Sequence, residues 1–358
     1  MRRFILAALF LAAQAHAEPL RLAIAGLTHG HAAGFLRSCQ GKDVVIVGIS
    51  DPDPALHKSY SERFHLDRKI FFTSLDAMLD QVKPEAVAAF SSTFDHPVIV
   101  EAAARRHLPV MMEKPLAVSM DHARRIQRAA RASGIPVVVN YETTWYRSHA
   151  AIFKTIRQPA YGPIRKMVAM DGHEGPKEIG VGPEFFNWLT DPVKNGAGAL
   201  FDFGCYGANL MTWLMDNQRP VSVRALTQQF KPSIYPKVDD EANILVEYKS
   251  AIGIIEGSWN WPFSRKDLEV YAQHGYANAI GGNTLRLREP KAKAEQQPAL
   301  DPLPADESDS VSYLTAIVRG RLKPSGLSSL ENNLIVTEIL EAARQSARTG
   351  RAVLLPRP

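Results

Sequence analysis

The sequence predicts an α/β protein of two parts: an N-terminal doubly wound parallel sheet and a C-terminal α/β part with a mainly antiparallel sheet. In residues 20–140, short apolar segments alternate with amphipathic segments of helical length, as in parallel sheets covered by helices. In residues 164–287, strand-like segments follow one another with few helices between them, which favours antiparallel pairing. A chain of 358 residues is long enough to form two hydrophobic cores.

The first part contains predicted strands and helices in strict alternation. The strands are Leu20–Gly26, Val44–Ser50, Lys69–Phe72, Ala86–Phe90, Val110–Met112 and Ile135–Asn140. The helices are Ala32–Ser38, Ala55–Phe64, Leu75–Gln81, His96–Arg106 and Leu116–Ala132. The alternation ends at Asn140, so we place the first domain at residues 18–140.

The second part, residues 141–358, begins with a helix near Trp145–Arg157 and then becomes rich in strands. The predicted strands are Ile164–Met170, Val221–Phe230, Glu241–Tyr248, Ala251–Trp259, Leu268–Ala272 and Asn278–Leu287. One helix with a glycine-rich start, Gly196–Met215, interrupts them, and an amphipathic helix, Ser329–Thr349, follows an exposed loop.

The first 17 residues have the features of a signal peptide. Arg2 and Arg3 precede an apolar run, Phe4–Ala13, and a small-x-small site, Ala15–Ala17, follows. We therefore predict export, to the periplasm, by either the general secretory or the twin-arginine route. The apolar run is too short to span a bilayer comfortably, so we predict no membrane span. The formal net charge of +5 is too small to indicate a nucleic-acid partner.

Glu113, Lys114 and Pro115 directly follow a short apolar strand and precede an amphipathic segment. In open α/β sheets, ligands bind at the carboxyl ends of the strands. Pro115 restricts the backbone, which fixes the direction of the lysine. A partly desolvated lysine at this position can exchange a proton with a hydroxyl near neutral pH, so we predict a catalytic role for Lys114.

The first strand-to-helix turn has part of a dinucleotide-binding pattern, which reads G-x-G-x-x-G or G-x-G-x-x-A. Gly26 occupies the first glycine position, whereas Thr28 and His31 occupy the second and third. Asp51 ends the second strand, where a carboxylate accepts hydrogen bonds from a ribose. The residues alone allow either a dinucleotide site or a tight turn without a nucleotide.

Three histidines, His29, His31 and His96, follow predicted strands of this sheet. Imidazoles suit zinc and other divalent ions, so a metal site is one interpretation. No cysteine or further histidine completes a ligand set, however, and we predict no metal. We expect His29 and His31 to contact phosphate or substrate, or to pack in the loop.

Asp202, Tyr206 and Asn209 lie at positions i, i+4 and i+7 of an apolar helix and so share one face. Buried polar groups need hydrogen-bond partners. If this face meets Lys114, the residues form a hydroxyl-binding and proton-transfer site. The alternative is a buried capping network with a structural role.

Two motifs, Glu113-Lys114-Pro115 and Gly198-Ala-Leu-Phe-Asp202-Phe-Gly204-Cys-Tyr206, resemble the Gfo/Idh/MocA family of sugar, inositol and polyol dehydrogenases. The resemblance extends from about Leu20 to Pro356. It implies an N-terminal Rossmann domain and a C-terminal α/β domain for substrate binding and oligomerisation. The large, open, mainly antiparallel sheet of that second domain often forms the oligomer interface, so the resemblance implies a homo-oligomer, either a dimer or a tetramer.

The resemblance also implies roles for individual residues. Lys114 corresponds to the lysine that contacts substrate and nicotinamide, and Asp202 to the carboxylate near the sugar hydroxyls. Tyr206 stands in place of the catalytic histidine of many members, as in the glucose-fructose oxidoreductase branch. The predicted cofactor-binding residues are Gly26, Thr28, His29, His31, Asp51, Ser92, His96 and Glu113, with Ser92 and His96 beside the nicotinamide. The predicted cofactor is NAD, with NADP as the alternative.

We therefore predict an exported oxidoreductase that acts on a sugar or cyclic polyol and holds NAD(P) tightly. Free nicotinamide cofactor is scarce outside the cytoplasm, and some members of the resembled branch recycle a bound cofactor between two sugars. One alternative is a lyase, glycoside hydrolase or epimerase on the same scaffold. Another is a periplasmic sugar-binding protein that has lost the cofactor.

Overall fold

A computed structural model describes residues 18–355, so the predicted signal peptide lies outside the described residues. The N-terminal strands are β1 (Leu20–Ala25), β2 (Val44–Ser50), β3 (Phe71–Phe72), β4 (Ala86–Ala89), β5 (Val110–Glu113) and β6 (Val137–Asn140). The helices between them are α1 (Ala32–Cys39), α2 (Pro54–Phe64), α3 (Leu75–Val82), α4 (His96–Ala104) and α5 (Met120–Ser133). All strands pair in parallel in the order β3-β2-β1-β4-β5-β6.

This sheet is buried on both faces, which explains its continuous apolar strands. Alternate residues of β1 enter different cores: Ala23 and Ala25 belong to one hydrophobic cluster, and Leu22 and Ile24 to another. The strand order reverses between β1 and β4. In doubly wound sheets, ligands bind at this switch point, beyond the carboxyl ends of the strands.

The C-terminal half forms a second, eight-stranded sheet in the order β13-β12-β11-β7-β10-β9-β8-β14. Its strands are β7 (Ile164–Gly172), β8 (Ser222–Gln228), β9 (Glu241–Glu247), β10 (Ile252–Ser258), β11 (Arg265–Ala272), β12 (Tyr276–Ile280), β13 (Thr284–Arg288) and β14 (Val353–Leu354). Its helices are α6 (Arg147–Ile156), α7 (Pro183–Leu189), α8 (Ala199–Asp202), α9 (Gly204–Leu214), α10 (Ser310–Val318) and α11 (Leu330–Thr349). Among the described strands of this second sheet, only β7 and β10 pair in parallel.

One face of the second sheet packs against helices, and much of the other face is exposed. Burial alternates along β9, as expected for a strand with one covered face. A Cβ atom added at Gly207 of α9 would lie 2.9 Å from Ala169 of β7 and 2.6 Å from Ile255 of β10. Glycine therefore lets α9 lie directly on the middle of the sheet. The predicted fold class is confirmed.

Several predicted element boundaries are wrong. The helix expected at Leu116–Ala132 begins at Met120, because the Ser119 side chain caps it by accepting from the His122 N–H. The strand expected at Asn278–Leu287 is the hairpin of β12 and β13, with Gly281 at its turn in a left-handed conformation (φ 55°).

The predicted helix Gly196–Met215 is divided into α8 and α9 at Phe203. Two further helices, α7 and α10, were not predicted. α10 packs against α1 and contributes Val311 and Leu314 to the core around β1. No helix within residues 18–355 is both long enough and apolar enough to cross a membrane.

Candidate active site

The end of β5 brings a lysine from the first sheet into contact with the helical layer of the second. Lys114 follows directly after β5, and its Nζ lies 2.5 Å from Oδ1 of Asp202 at the end of α8. Nζ also donates to the Asp202 carbonyl oxygen at 3.2 Å. The other carboxylate oxygen, Oδ2, accepts from Trp259 Nε1 at 2.9 Å. The predicted proximity of Lys114 and Asp202 is therefore observed.

Burial and charge act in opposite directions on this pair. Burial lowers the pKa of Lys114, but the negative charge of Asp202, together with the other nearby groups, raises it by a larger amount. The pKa of Lys114 therefore lies above its ordinary value. Burial raises the pKa of the Asp202 carboxyl, whereas Lys114 lowers it, and the resulting pKa is about 2. Both groups are therefore charged at neutral pH. Lys114 is a hydrogen-bond donor in the resting site, and not the neutral base that its position suggested.

Two ammonium groups lie close to the ring of Tyr206. The Nζ atoms of Lys114 and Lys266 are each 5.1 Å from the centroid of its ring. Cations at this distance from an aromatic ring are attracted to it electrostatically. The Tyr206 hydroxyl makes no hydrogen bond to any described residue, and burial raises its pKa well above the ordinary value. The neutral phenol therefore has a free hydrogen-bond donor.

Asn209 does not join this group, contrary to the prediction that it shares a face with Asp202 and Tyr206. Its side-chain Nδ2 donates to the Leu327 carbonyl oxygen and to Oδ1 of Asn332, both at 2.8 Å. The break between α8 and α9 changes the register of the predicted helix. Asn209 instead fixes α9 to the start of α11, as the alternative of a buried structural network predicted.

Glu113 anchors a second polar group beside Lys114. Its Oε2 lies 3.0 Å from His31 Nδ1, and its Oε1 accepts from Asn140 Nδ2 at 2.7 Å. Asn140 in turn accepts from Trp145 Nε1 at 3.0 Å. Burial raises the pKa of Glu113, but the nearby His31 lowers it, with a net value of about 2. Because Glu113 is ionised, the ring nitrogen of His31 that faces it is the donor.

His31 is 46% exposed and borders a cavity of about 340 Å³. The cavity is lined by residues that include Gly34, Glu113, Asn140, Glu142 and Trp145. It lies along α1 and reaches the helical turn after β6. His31 thus has one nitrogen held by a buried carboxylate and its ring at the edge of an open space.

The unpredicted helix α7 covers the turn after β1. The ring of His29 packs against Phe185 and Trp188, with centroids 4.8 and 5.6 Å apart. Trp188 Nε1 donates to the Thr28 carbonyl oxygen at 3.2 Å. Burial lowers the pKa of His29 well below its ordinary value, so His29 is neutral. His29 is therefore a packing residue of this turn.

The same turn has features that fit a dinucleotide diphosphate. Gly26 has a φ of 87°, and a Cβ atom there would lie 2.9 Å from backbone atoms of Ser91. Glycine is therefore required at the first position. Among the described residues, the N–H groups of Thr28 and Gly30 have no hydrogen-bond acceptor. Free N–H groups at the start of a helix are suited to bind phosphate oxygens.

Asp51 holds this turn in place. Its Oδ2 accepts from the Leu27 N–H at 2.8 Å, and its Oδ1 accepts from the Asp53 N–H at 2.9 Å. Burial raises the pKa of the carboxyl, and the side chain is 2% exposed. Each oxygen keeps a second lone pair for a ribose hydroxyl, and that contact stays a prediction.

Ser92 and His96 lie beyond the end of β4 and are both buried. Ser92 Oγ donates to Asp95 Oδ2 at 2.6 Å. His96 Nδ1 lies 3.1 Å from the Leu116 carbonyl oxygen, whereas its Nε2 has no partner among the described residues. Both side chains shape the loops beside Lys114, and their predicted contact with nicotinamide stays a prediction.

Within the described residues, one group of three side chains has the spacing of metal ligands: His29, His31 and Glu113, whose candidate atoms lie within 4.8 Å of one another. Several of these atoms already make hydrogen bonds. His29 Nδ1 accepts from the His31 N–H, and His31 Nδ1 binds Glu113. A hydrogen-bonded pair beside a packed histidine accounts for the cluster, and the expectation of no metal stays a prediction.

Sequence reasoning did not identify four polar residues near Tyr206: Glu142, Asp171, Trp259 and Lys266. Glu142 and Trp259 lie just beyond the ends of β6 and β10. Asp171 lies near the end of β7 and Lys266 near the start of β11, and the approach of all four depends on how the two sheets meet. Asp171 and Trp259 could have been considered from the sequence, because both lie at the carboxyl ends of predicted strands. The carboxyl end of β5 had already been identified as a candidate ligand-binding region.

Comparisons with known proteins agree with this geometry. Residues 20–141 match the model of an oxidoreductase family with an NAD-binding Rossmann fold, and residues 149–278 match the GFO/IDH/MocA C-terminal domain. A D-apiose dehydrogenase of Rhizobium rhizogenes is 22% identical over 331 residues, covering 87% of this chain and 90% of the relative. A 1,5-anhydro-D-fructose reductase of Ensifer adhaerens is 24% identical over 333 residues, covering 89% of this chain and 92% of the relative.

A crystal structure of an inositol dehydrogenase homologue from Azotobacter vinelandii, complexed with NAD⁺, has the same fold. The TM-score is 0.80 at 21% identity, and the match covers 95% of this chain and 98% of the other. The chain belongs to the Gfo/Idh/MocA family of oxidoreductases, and its N-terminal half is an NAD-binding Rossmann domain. The predicted family and the predicted cofactor, NAD, are confirmed. The domain boundaries and the residue roles stay predictions.

Proposed function

We propose that this protein is an NAD-dependent dehydrogenase that oxidises a hydroxyl group of a sugar or cyclic polyol. The observation that carries the proposal is the buried Lys114–Asp202 ion pair beside the free hydroxyl of Tyr206, at the ligand-binding edge of an NAD-binding domain. A hydroxyl-binding site needs donors and acceptors in a place shielded from water, and this group supplies both.

Bound NAD would accept a hydride from the carbon that carries the hydroxyl. The turn that contains Gly26, Thr28 and Gly30 would hold its diphosphate through backbone N–H groups. The side chains of the site handle the proton. Lys114 is charged and Tyr206 is a neutral phenol, so each donates a hydrogen bond to the oxygen atom that reacts.

Hydrogen-bond donors stabilise the negative charge that develops on the substrate oxygen during oxidation. The hydroxyl proton passes to Tyr206 or Lys114, whichever has first released its own proton to solvent. The other group stays protonated and stabilises the negative charge that develops on the oxygen. Asp202 keeps Lys114 protonated and fixes its direction, and Trp259 fixes the direction of Asp202. In the opposite reaction, Tyr206 or Lys114 donates the proton to a carbonyl oxygen.

The names of the relatives support the substrate class. One relative is named for the sugar D-apiose and another for the sugar 1,5-anhydro-D-fructose. Other relatives are named for the cyclic polyol inositol. All of these compounds are polyhydroxylated. We infer that the substrate of this protein is a polyol of similar size.

The test begins with the protein as purified. Mass analysis and the absorbance of reduced nicotinamide would show whether NAD(H) is retained, which we expect if the cofactor is tightly bound. Turnover is then measured with a panel of aldoses and cyclitols, following the reduction of bound or added NAD. A protein that neither retains nor binds NAD(H) by titration, and that reduces none with the panel, would contradict the proposal.

We further propose that residues 1–17 direct export to the periplasm. Cell fractionation with and without these residues tests export.

We also propose that the protein assembles as a homo-oligomer. Three apolar side chains, Leu226, Leu245 and Ile252, are exposed on neighbouring strands of the second sheet. Exposed apolar patches on a sheet face favour association. Light scattering with a Leu245→Glu variant tests this interface.

A further inference from the structure

Asp171 is a buried carboxyl group that the proposed chemistry does not use. It lies near the end of β7 and is 1% exposed. Neither of its carboxyl oxygens has a hydrogen-bond partner among the described residues. Leaving a buried polar group unsatisfied typically costs about 1–3 kcal/mol. A group retained at that cost indicates a ligand that completes its hydrogen bonds.

The sheet register directs Asp171 toward the active site. Asp171 and Lys266 are direct partners in the antiparallel pair of β7 and β11, so both side chains project from the same face. Ala169, two residues earlier on β7, faces Gly207 of α9. Because side chains alternate along a strand, Asp171 also projects toward α9, the helix that carries Tyr206.

The charged groups near Asp171 are already paired. Lys266 Nζ lies 2.5 Å from Oε2 of Glu142, and Glu142 also accepts from the Tyr146 hydroxyl at 2.6 Å. Lys114, which is also close to the Tyr206 ring, is paired with Asp202. Each lysine therefore has its own carboxylate, and Asp171 is a third acid without a cation of its own.

Burial raises the pKa of the Asp171 carboxyl well above its ordinary value, and Lys266 lowers it only partly. Burial therefore favours the protonated form of this carboxyl. A protonated carboxyl has one O–H donor and free acceptor lone pairs, which matches the hydrogen-bonding capacity of an alcohol.

We propose that Asp171 binds a substrate hydroxyl group beyond Tyr206, and that the site selects uncharged polyols over sugar acids and sugar phosphates. Both ammonium groups beside the Tyr206 ring are neutralised by carboxylates, so neither lysine is an unpaired cation for an anionic substituent. This inference rests on the proposed function, since it assigns the substrate class of the same site.

The experiment compares Asp171→Ala, Asp171→Asn and a matched control, Asp267→Ala. Asp267 lies on β11 next to Lys266 and is also buried, but its carboxylate is satisfied by Arg265 and by the Gly281 N–H. For each protein, denaturant unfolding is measured without ligand. Binding of myo-inositol, D-glucose and D-glucuronate to the NAD-loaded protein is measured by calorimetry, and KM by NAD reduction.

We expect Asp171→Ala to weaken binding of the preferred neutral polyol about 10- to 100-fold, the loss typical of a hydrogen bond to a buried partner. Its resistance to denaturant should be unchanged or higher. Asp171→Asn, which keeps a donor and an acceptor, should restore most of the affinity. Asp267→Ala should lower stability and leave affinity unchanged. Wild-type protein should bind D-glucuronate more weakly than D-glucose.

The inference is overturned if Asp171→Ala binds the neutral polyol as tightly as wild type, if it loses as much stability as Asp267→Ala, or if wild type prefers D-glucuronate. Absence of wild-type binding to all three compounds would also overturn it. Failure of the proposed function has a different signature: the neutral polyol binds, Asp171→Ala weakens that binding, and no NAD is reduced.

Discussion

Lys114 and Asp202 are 88 residues apart in the chain, yet Lys114 Nζ lies 2.5 Å from Asp202 Oδ1 in a buried ion pair. The pair connects the end of β5 in the parallel sheet to α8 on the second sheet. The side chains of both residues are 6% exposed. A single contact therefore contributes both to the junction of the two halves and to the proposed chemistry.

Replacing Lys114 should affect stability as well as turnover. We expect Lys114→Met to lower the rate by about 10²- to 10⁴-fold, the range for loss of an acid-base group. Removing one partner of a buried ion pair also leaves the Asp202 charge uncompensated, which typically costs about 3–5 kcal/mol. Turnover and denaturant unfolding are measured on the same preparation.

The double variant Lys114→Met/Asp202→Asn separates the two effects. It removes the uncompensated charge, so stability should recover while turnover stays low. Activity like that of wild type in Lys114→Met would contradict the assignment of Lys114 to the reaction.

The Tyr206 hydroxyl can be tested with little disturbance of the fold. Because it makes no hydrogen bond to a described residue, Tyr206→Phe should change the free energy of unfolding by less than about 1 kcal/mol. The rate should fall by about 10²- to 10⁴-fold if the hydroxyl transfers a proton. Melting temperature and turnover are the two measurements.

A suitable control is Tyr235→Phe, because the Tyr235 hydroxyl is hydrogen-bonded to Glu178 and to the Lys177 N–H. This variant should lose stability and keep its turnover. Normal turnover in Tyr206→Phe would make Tyr206 structural. The acid-base role would then pass to Lys114 alone or to a histidine such as His173, which directly follows β7 and packs against Phe203.

Acid should destabilise the protein through Glu113. The pKa of Glu113 is about 2 in the folded state, against an ordinary value of 4.5. A carboxyl group whose pKa is lower in the folded state stabilises the fold at pH values above its pKa in the unfolded state. This stability is lost as pH falls from about 4.5 toward 2. The shift corresponds to about 3 kcal/mol.

Unfolding free energies of wild type and Glu113→Gln are compared at pH 6 and at pH 3. We expect the variant to be less stable at pH 6 and to approach wild type at the lower pH. An equal difference between the two proteins at both values would show that the ionisation of Glu113 does not contribute.

NADH should bind more tightly than NADPH. The carboxylate of Asp51 lies at the end of β2, where it would accept ribose hydroxyls and repel a 2′-phosphate. Fluorescence titration with both reduced cofactors measures the preference, and an Asp51→Asn variant should reduce it. Tighter binding of NADPH by wild type would contradict this prediction.

Much of the fold follows from local pattern. The alternation of apolar strands and amphipathic helices in residues 20–140 predicts the parallel sheet, because each segment has the period and length of its element. The boundaries that failed depend on single residues. Ser119 caps α5, which begins four residues later than the apolar pattern suggests, and Gly281 introduces a turn into an apparently continuous strand.

The sequence by itself determined the fold class, the family and the positions of Lys114, Asp202 and Tyr206, because strand ends and motif spacing are local properties of the chain. Tertiary structure alone decided which side chains meet. It separated Asn209 from the site, covered the turn after β1 with α7, and placed Lys266 and Asp171 near Tyr206. Such contacts depend on how two sheets dock and on strand register, and neither can be read from the spacing of residues within one segment.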